Sequence, residues 1–130
     1  MRTTWMVVLS CATVACSSDP TSPGDSVQEC TGPVTVSVSS GTTPTFDWTP
    51  RCSLFLVLVE QGASDRWLVL SPGANGITPP VQYGVLPPGA FEDDVAIPLE
   101  AGQTYDIVLG RWTGPGPEDG TVIANQEFTP

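Results

Sequence analysis

Val34-Thr35-Val36-Ser37-Val38-Ser39 and, across Ser40-Gly41-Thr42-Thr43-Pro44, the stretch Thr45-Phe46-Asp47-Trp48-Thr49 decide how this chain folds. On both sides of the glycine, apolar and polar residues alternate with a period of two, the mark of strands with one buried face. Folded as a hairpin centred on Gly41, Val36 faces Phe46 and Val34 faces Trp48, so the apolar side chains pair across the strands on one face. A slip of one residue would turn them all outward. The same register sets Cys30 opposite Cys52 and predicts a disulfide closing the open end of the hairpin. In an oxidising compartment such a bridge contributes ~3 kcal/mol by the chain-entropy argument. The alternatives are two free thiols or half of a metal site; without histidine or a spare third cysteine, the metal reading is the poorer one.

Working outward, short runs of period two continue between Gly, Pro and Ser clusters. Residues 54–59 (LFLVLV) are apolar on both faces, as a central strand would be, and residues 61–65 turn the chain into a strand over 66–70. Residues 77–84 are broken by Pro79-Pro80, which places them at an edge. Residues 85–93 read as turn-rich, after which Val95, Ile97 and Leu99 alternate inward beside an edge-marking Pro98. Tyr105, Ile107 and Leu109 form the next inward set, and residues 120–128 close the domain. About seven strands at this spacing predict an all-β, antiparallel, Ig-like sandwich over residues 30–130.

Asp47-Trp48-Thr49-Pro50 after an alternating strand resembles the second-strand tryptophan motif of fibronectin type III domains. Leu99-Glu100-Ala101-Gly102-Gln103-Thr104-Tyr105 is similar to that family's turn into its sixth strand, and the likeness runs from about Pro33 to Phe128. It implies a core position for Trp48 and, for Tyr105, a structural role in which its hydroxyl bonds back to the backbone at a corner. The cysteine pair departs from the family, whose domains usually lack a disulfide. Such a resemblance speaks to fold and not to function.

The first thirty residues obey different rules. Arg2 gives a minimal positive start, and residues 5–14 (WMVVLSCATV) are an apolar run of ten, long enough for a secretory signal and too short to span a bilayer. Thr13-Val14-Ala15-Cys16, followed by Ser17-Ser18-Asp19, resembles the lipobox of bacterial lipoproteins, departing from it at Thr13, where leucine is usual. The resemblance implies a signal peptide over 1–15, diacylglycerol on Cys16, and attachment to the lipid bilayer of a bacterial membrane, with the serine after Cys16 resembling outer-membrane sorting. Cys11 competes as the acylated residue but would leave an apolar run of only five. An ordinary signal peptide cut near Ala15 is the other alternative. Two or three acyl chains, at ~0.8 kcal/mol per buried CH₂, hold a protein stably where one does not. Residues 17–29 (SSDPTSPGDSVQE) are polar and aperiodic and read as a tether with a mean reach of about 20 Å.

Composition narrows the function classes. The chain has fourteen Asp and Glu, four Arg, and no Lys or His, for a net charge of −10; loss of Arg2 on processing makes it −11. With no basic patch, binding to nucleic acid is not expected. The absence of His and Lys removes the usual general bases, Schiff-base amines and imidazole ligands, and no enzymatic activity or cofactor is expected. Glu92-Asp93-Asp94, together with Glu118-Asp119, is the one acidic constellation resembling a Ca²⁺ site, but no EF-hand spacing is present and a solvated loop explains it better. Trp112, beside Arg111 at the start of a Gly/Pro-rich loop, and Trp67 are the candidate binding residues, suited to a protein hot spot or to stacking on a sugar. Trp112 is expected to face away from the core because its parity opposes that of Tyr105. The favoured reading is a non-catalytic interaction or structural module of the cell envelope. A carbohydrate-binding lipoprotein and a calcium-dependent adhesion domain are the alternatives.

Overall fold

Thr35–Val38 (β1) and Thr45–Thr49 (β2) form the antiparallel hairpin on which the chain is organised. The computed structural model describes residues 27–115 and 119–130. Within them the remaining strands are Leu56–Gln61 (β3), Ser64–Leu70 (β4), Val81–Gln82 (β5), Phe91–Asp94 (β6), Tyr105–Trp112 (β7) and Gly120–Phe128 (β8). They make two antiparallel sheets, one of order β1-β2-β5 and one of order β6-β4-β3-β7-β8. The protein is an all-β sandwich. Cys16, the signal segment, most of the tether and Glu118 lie outside the described residues.

The hairpin pairs two residues away from the expected register: Val36 faces Trp48 and Val38 faces Phe46. The loop is centred on Thr42, one residue later than expected. Pro44 is buried in the turn with its carbonyl accepting the N–H of Tyr83 (2.9 Å), and the ladder begins where Ser39 N–H donates to the Thr45 carbonyl (3.0 Å) and Thr45 N–H to Ser39 Oγ (2.7 Å). Because the shift is even, Val36, Phe46 and Trp48 keep the buried face.

The disulfide between Cys30 and Cys52 is present, with both residues in the core. Its geometry is not that of a hairpin end. After β2 the chain turns through Pro50 and runs back, so that Glu29 and Ser53 pair in parallel. Cys30 N–H donates to the Ser53 carbonyl (3.0 Å) and Ser53 N–H to that of Gln28 (2.9 Å). The bridge therefore fastens the incoming N-terminal segment to the crossover between the sheets.

β3 is central, flanked by β4 and β7. Its turn into β4 is two residues, Gly62-Ala63, with Gly62 at φ 59°, the first-position conformation a type II′ hairpin requires. Val57, Val59, Trp67, Val69, Ile107 and Leu109 line its inner face against Phe46 and Trp48. Trp48 Nε1 donates to the Cys52 carbonyl (2.8 Å), which ties the core to the disulfide. Tyr105 Oη accepts the N–H of Glu100 (2.9 Å) and holds the corner before β7.

Residues 95–99 differ from expectation. Val95 and Ile97 point to solvent, at 75% and 45% exposure, while Ala96 packs on the core and only Leu99 of the expected set is buried. The strand of this region is β6, which bulges at Asp93, opposite the step between Leu68 and Val69, and ends at Asp94. Residues 95–99 lie beyond the ladder, with Ile97 N–H donating to the Arg66 carbonyl (2.9 Å), so strand alternation does not set their faces.

Candidate functional site: the outer face of the five-stranded sheet

Two of the sequence candidates serve the fold. Trp67 is fully buried, edge-on to Tyr83 with ring centroids 5.2 Å apart, and so is no ligand platform. β4 alternates, and Trp67 shares the inner parity of Val69. The Arg111 guanidinium donates to the Cys30 carbonyl (3.0 Å), so it braces the N-terminal segment instead of flanking Trp112 as a binding pair. Arg51 and Arg66 are also engaged, Arg51 with the Pro79 carbonyl (2.7 Å) and Arg66 with Gln61 Oε1 (2.6 Å).

Trp112 lies half-buried at the end of β7, its ring centroid 6.2 Å from that of Phe55. Its backbone is gripped by the Asn75 side chain: Trp112 N–H donates to Oδ1 (2.7 Å) and Nδ2 donates to the Trp112 carbonyl (3.0 Å). A side-chain amide here replaces a strand partner where β7 runs past β3. Sequence reasoning missed Asn75, because Asn75-Gly76 reads as a plain turn and nothing local marks its long-range bond.

Phe55 and Trp112 border a larger apolar surface. Cross-strand neighbours on the outer face form one row, Phe91, Leu70, Leu56, Gly110 and Val122, running through all five strands. Leu68, Leu58 and Val108 form a second row, ending in Asp94 on β6 and Asn125 on β8. Rows two residues apart along the strands are separated by about 6.8 Å. Phe91 is 43% and Val122 62% exposed. Between Leu56 and Val122, Gly110 leaves a shallow groove of about 190 Å³; a Cβ there would sit 3.4 Å from that of Leu56. Exposed single apolar residues are ordinary, but a contiguous row across a sheet is the pattern of an interaction surface.

The next row toward the other end of the same strands is entirely acidic: Asp65 pairs with Glu60, Glu60 with Asp106, and Asp106 with Glu127. Like charges directly opposite one another destabilise a sheet. Arg66, the extra residue of the bulge beside Glu60, is bonded to Gln61.

Larger concavities of about 480 and 420 Å³ flank β5, walled by the Thr78–Pro88 region and the 96–99 turn. Among the described residues Tyr83 is the one titratable group lining them, and its hydroxyl is bonded to the fold. Glu92, Asp93 and Asp94 lie on the edge strand β6, and among the described residues no group of three or more Asp, Glu, Cys or His is placed to hold a metal. No helix of the described residues is long and apolar enough to cross a membrane. Compared with protein-family models, curated proteins and solved structures, the chain matches none.

Proposed function

We propose that this protein is an exported, non-catalytic interaction module, anchored to a bacterial membrane through acylated Cys16, which presents the outer face of its five-stranded sheet to a protein of the cell envelope. The observation that carries the reading is the unbroken apolar row from Phe91 to Val122 on an otherwise acidic molecule. The Cys30–Cys52 disulfide supports export, since such bonds persist in oxidising compartments. The signal-like N-terminus and the lack of His and Lys support anchoring and binding over catalysis.

The anchor would also orient the surface. The tether joins the sandwich at Cys30, whose carbonyl is held by Arg111, next to Trp112. An acyl group on Cys16 would thus turn the Trp112 end of the face toward the bilayer. Asp106, six residues back along β7, would lie about 20 Å farther out.

A photo-crosslinking residue placed at Val122 in cells making the protein tests the reading. One discrete protein adduct from position 122, and none from Ser37 on the other sheet, is the expected result; no adduct at 122 would remove it. Cys16→Ser should in parallel release the protein from the membrane fraction. The Phe55–Trp112 pair favours one second reading, a glycan stacked on these rings, for which glycan-array binding abolished by Trp112→Ala is the test.

A further inference from the structure

We infer that the outer face of the five-stranded sheet docks a cationic amphipathic helix, one with an apolar stripe and Lys or Arg along a single flank; the inference rests on the interaction-module reading and names the chemistry of its partner. The surface has two parts in fixed order. One apolar row crosses β6-β4-β3-β7-β8 and a second covers β4, β3 and β7, and one row length farther along the same strands comes the acidic row of Asp65, Glu60, Asp106 and Glu127. Glu60 and Asp106 are half-buried by their neighbours, and Asp65 and Glu127 are exposed. Four carboxylates paired side by side cost the free sheet stability. A partner that sets cations over them relieves that repulsion while covering the leucines.

The dimensions suit a helix. Five strands at about 4.8 Å spacing give a face about 19 Å wide, which 13 residues of helix at ~1.5 Å each would cross. Its apolar stripe at i, i+3, i+4 and i+7 would fill the two apolar rows, with a side chain entering the groove over Gly110. Cations one helix flank away would then stand over the acidic row. Charge decides among occupants. A second copy would bring a second set of the same acids, and all three arginines of the described residues are committed within the fold. A phosphate-rich membrane surface would be repelled by the row.

The test titrates the full chain with a fluorescently labelled synthetic helix, its Leu stripe flanked on one side by Lys, against the same peptide carrying Glu in place of Lys. The Lys peptide should bind at least tenfold more tightly than the Glu peptide, with affinity that falls as salt rises. Val122→Glu, at an exposed position, should weaken binding tenfold or more, while Ser37→Glu on β1 leaves it unchanged. Glu60→Gln combined with Asp106→Asn should erase the preference for Lys over Glu. Equal binding of the two peptides, no binding of either, or indifference to Val122→Glu overturns the inference. A cellular adduct at residue 122 alongside any of these failures would leave the interaction module standing and reject only its cationic partner.

Discussion

Tyr83 and Tyr105 are both buried and use their hydroxyls in opposite senses. Tyr105 Oη accepts a backbone N–H, whereas Tyr83 Oη lies 2.6 Å from the Ile97 carbonyl and 3.1 Å from that of Arg66. One hydroxyl proton serves one acceptor well, and the shorter contact identifies Ile97 as its partner. Burial pushes the Tyr83 hydroxyl up to about 12. The neutral form is the one the fold favours, so this contribution is whole below pH 10, the unfolded value, and is lost as pH rises toward 12. Tyr83→Phe should cost about 1 kcal/mol in urea unfolding at pH 7 and make loss of structure between pH 10 and 12, followed by circular dichroism, less steep. The two core tryptophans differ in the same way. Trp48 Nε1 donates to the Cys52 carbonyl, while Trp67 Nε1 is buried with no partner among the described residues. Trp48→Phe breaks a bond and orphans an acceptor; Trp67→Phe removes an unpaired donor. Urea midpoints should place Trp48→Phe roughly 2 kcal/mol below Trp67→Phe, and equal costs would contradict the assignment.

At the scale of elements, the disulfide stands where three segments meet: the incoming chain, the end of β2 and the crossover to β3. Cys30 and Cys52 are separated by 22 residues, a span that contains the whole β1-β2 hairpin. Reduction should lower unfolding stability by ~3 kcal/mol, read from urea curves with and without reductant. Reducing conditions that leave the curve unmoved would show that the parallel pairing of Glu29 with Ser53 suffices alone. Edges are managed without covering elements. β6 carries Glu92, Asp93 and Asp94 and a bulge, β5 is two residues long beside Pro79-Pro80, and β8 gives its Ile123 carbonyl to Val34 N–H. Each device discourages pairing with another sheet.

Across the molecule, one sheet has an inner face built for packing and an outer face that conflicts with stability. Its acidic row sets like charges opposite each other on four strands, and leucines and a phenylalanine are left beside it. Natural sheets usually alternate polar residues outward, and an outer face of this composition is the one the proposed partner would cover. Asp106→Asn, which neutralises the residue between Glu60 and Glu127, should therefore raise stability by roughly 0.5 kcal/mol. The gain should be larger at about 20 mM than at about 500 mM salt, as thermal melts in the two buffers would show. A loss of stability would mean that Asp106 is held by partners other than repelling acids.

Period-two alternation, turn residues and cysteine count are local properties, and they sufficed for the β class, the buried identity of Val36, Phe46 and Trp48, the central place of residues 56–59 in a strand that begins two residues later than expected, and the pairing of Cys30 with Cys52. Whatever hung on registry between distant segments lay beyond them. The hairpin closed two residues along from its expected register around a loop that buries Pro44, the 95–99 segment left the ladder after Asp94, and Trp67 and Arg111 proved to be committed to the interior and to Cys30. The acidic row illustrates the difference most directly. Asp65, Glu60, Asp106 and Glu127 are scattered along the chain, and only strand pairing, set by the packing of the opposite face, makes them neighbours. A sequence carries each residue's preference for water or core; which residues share a surface is decided by the lowest-energy way to satisfy all of those preferences together.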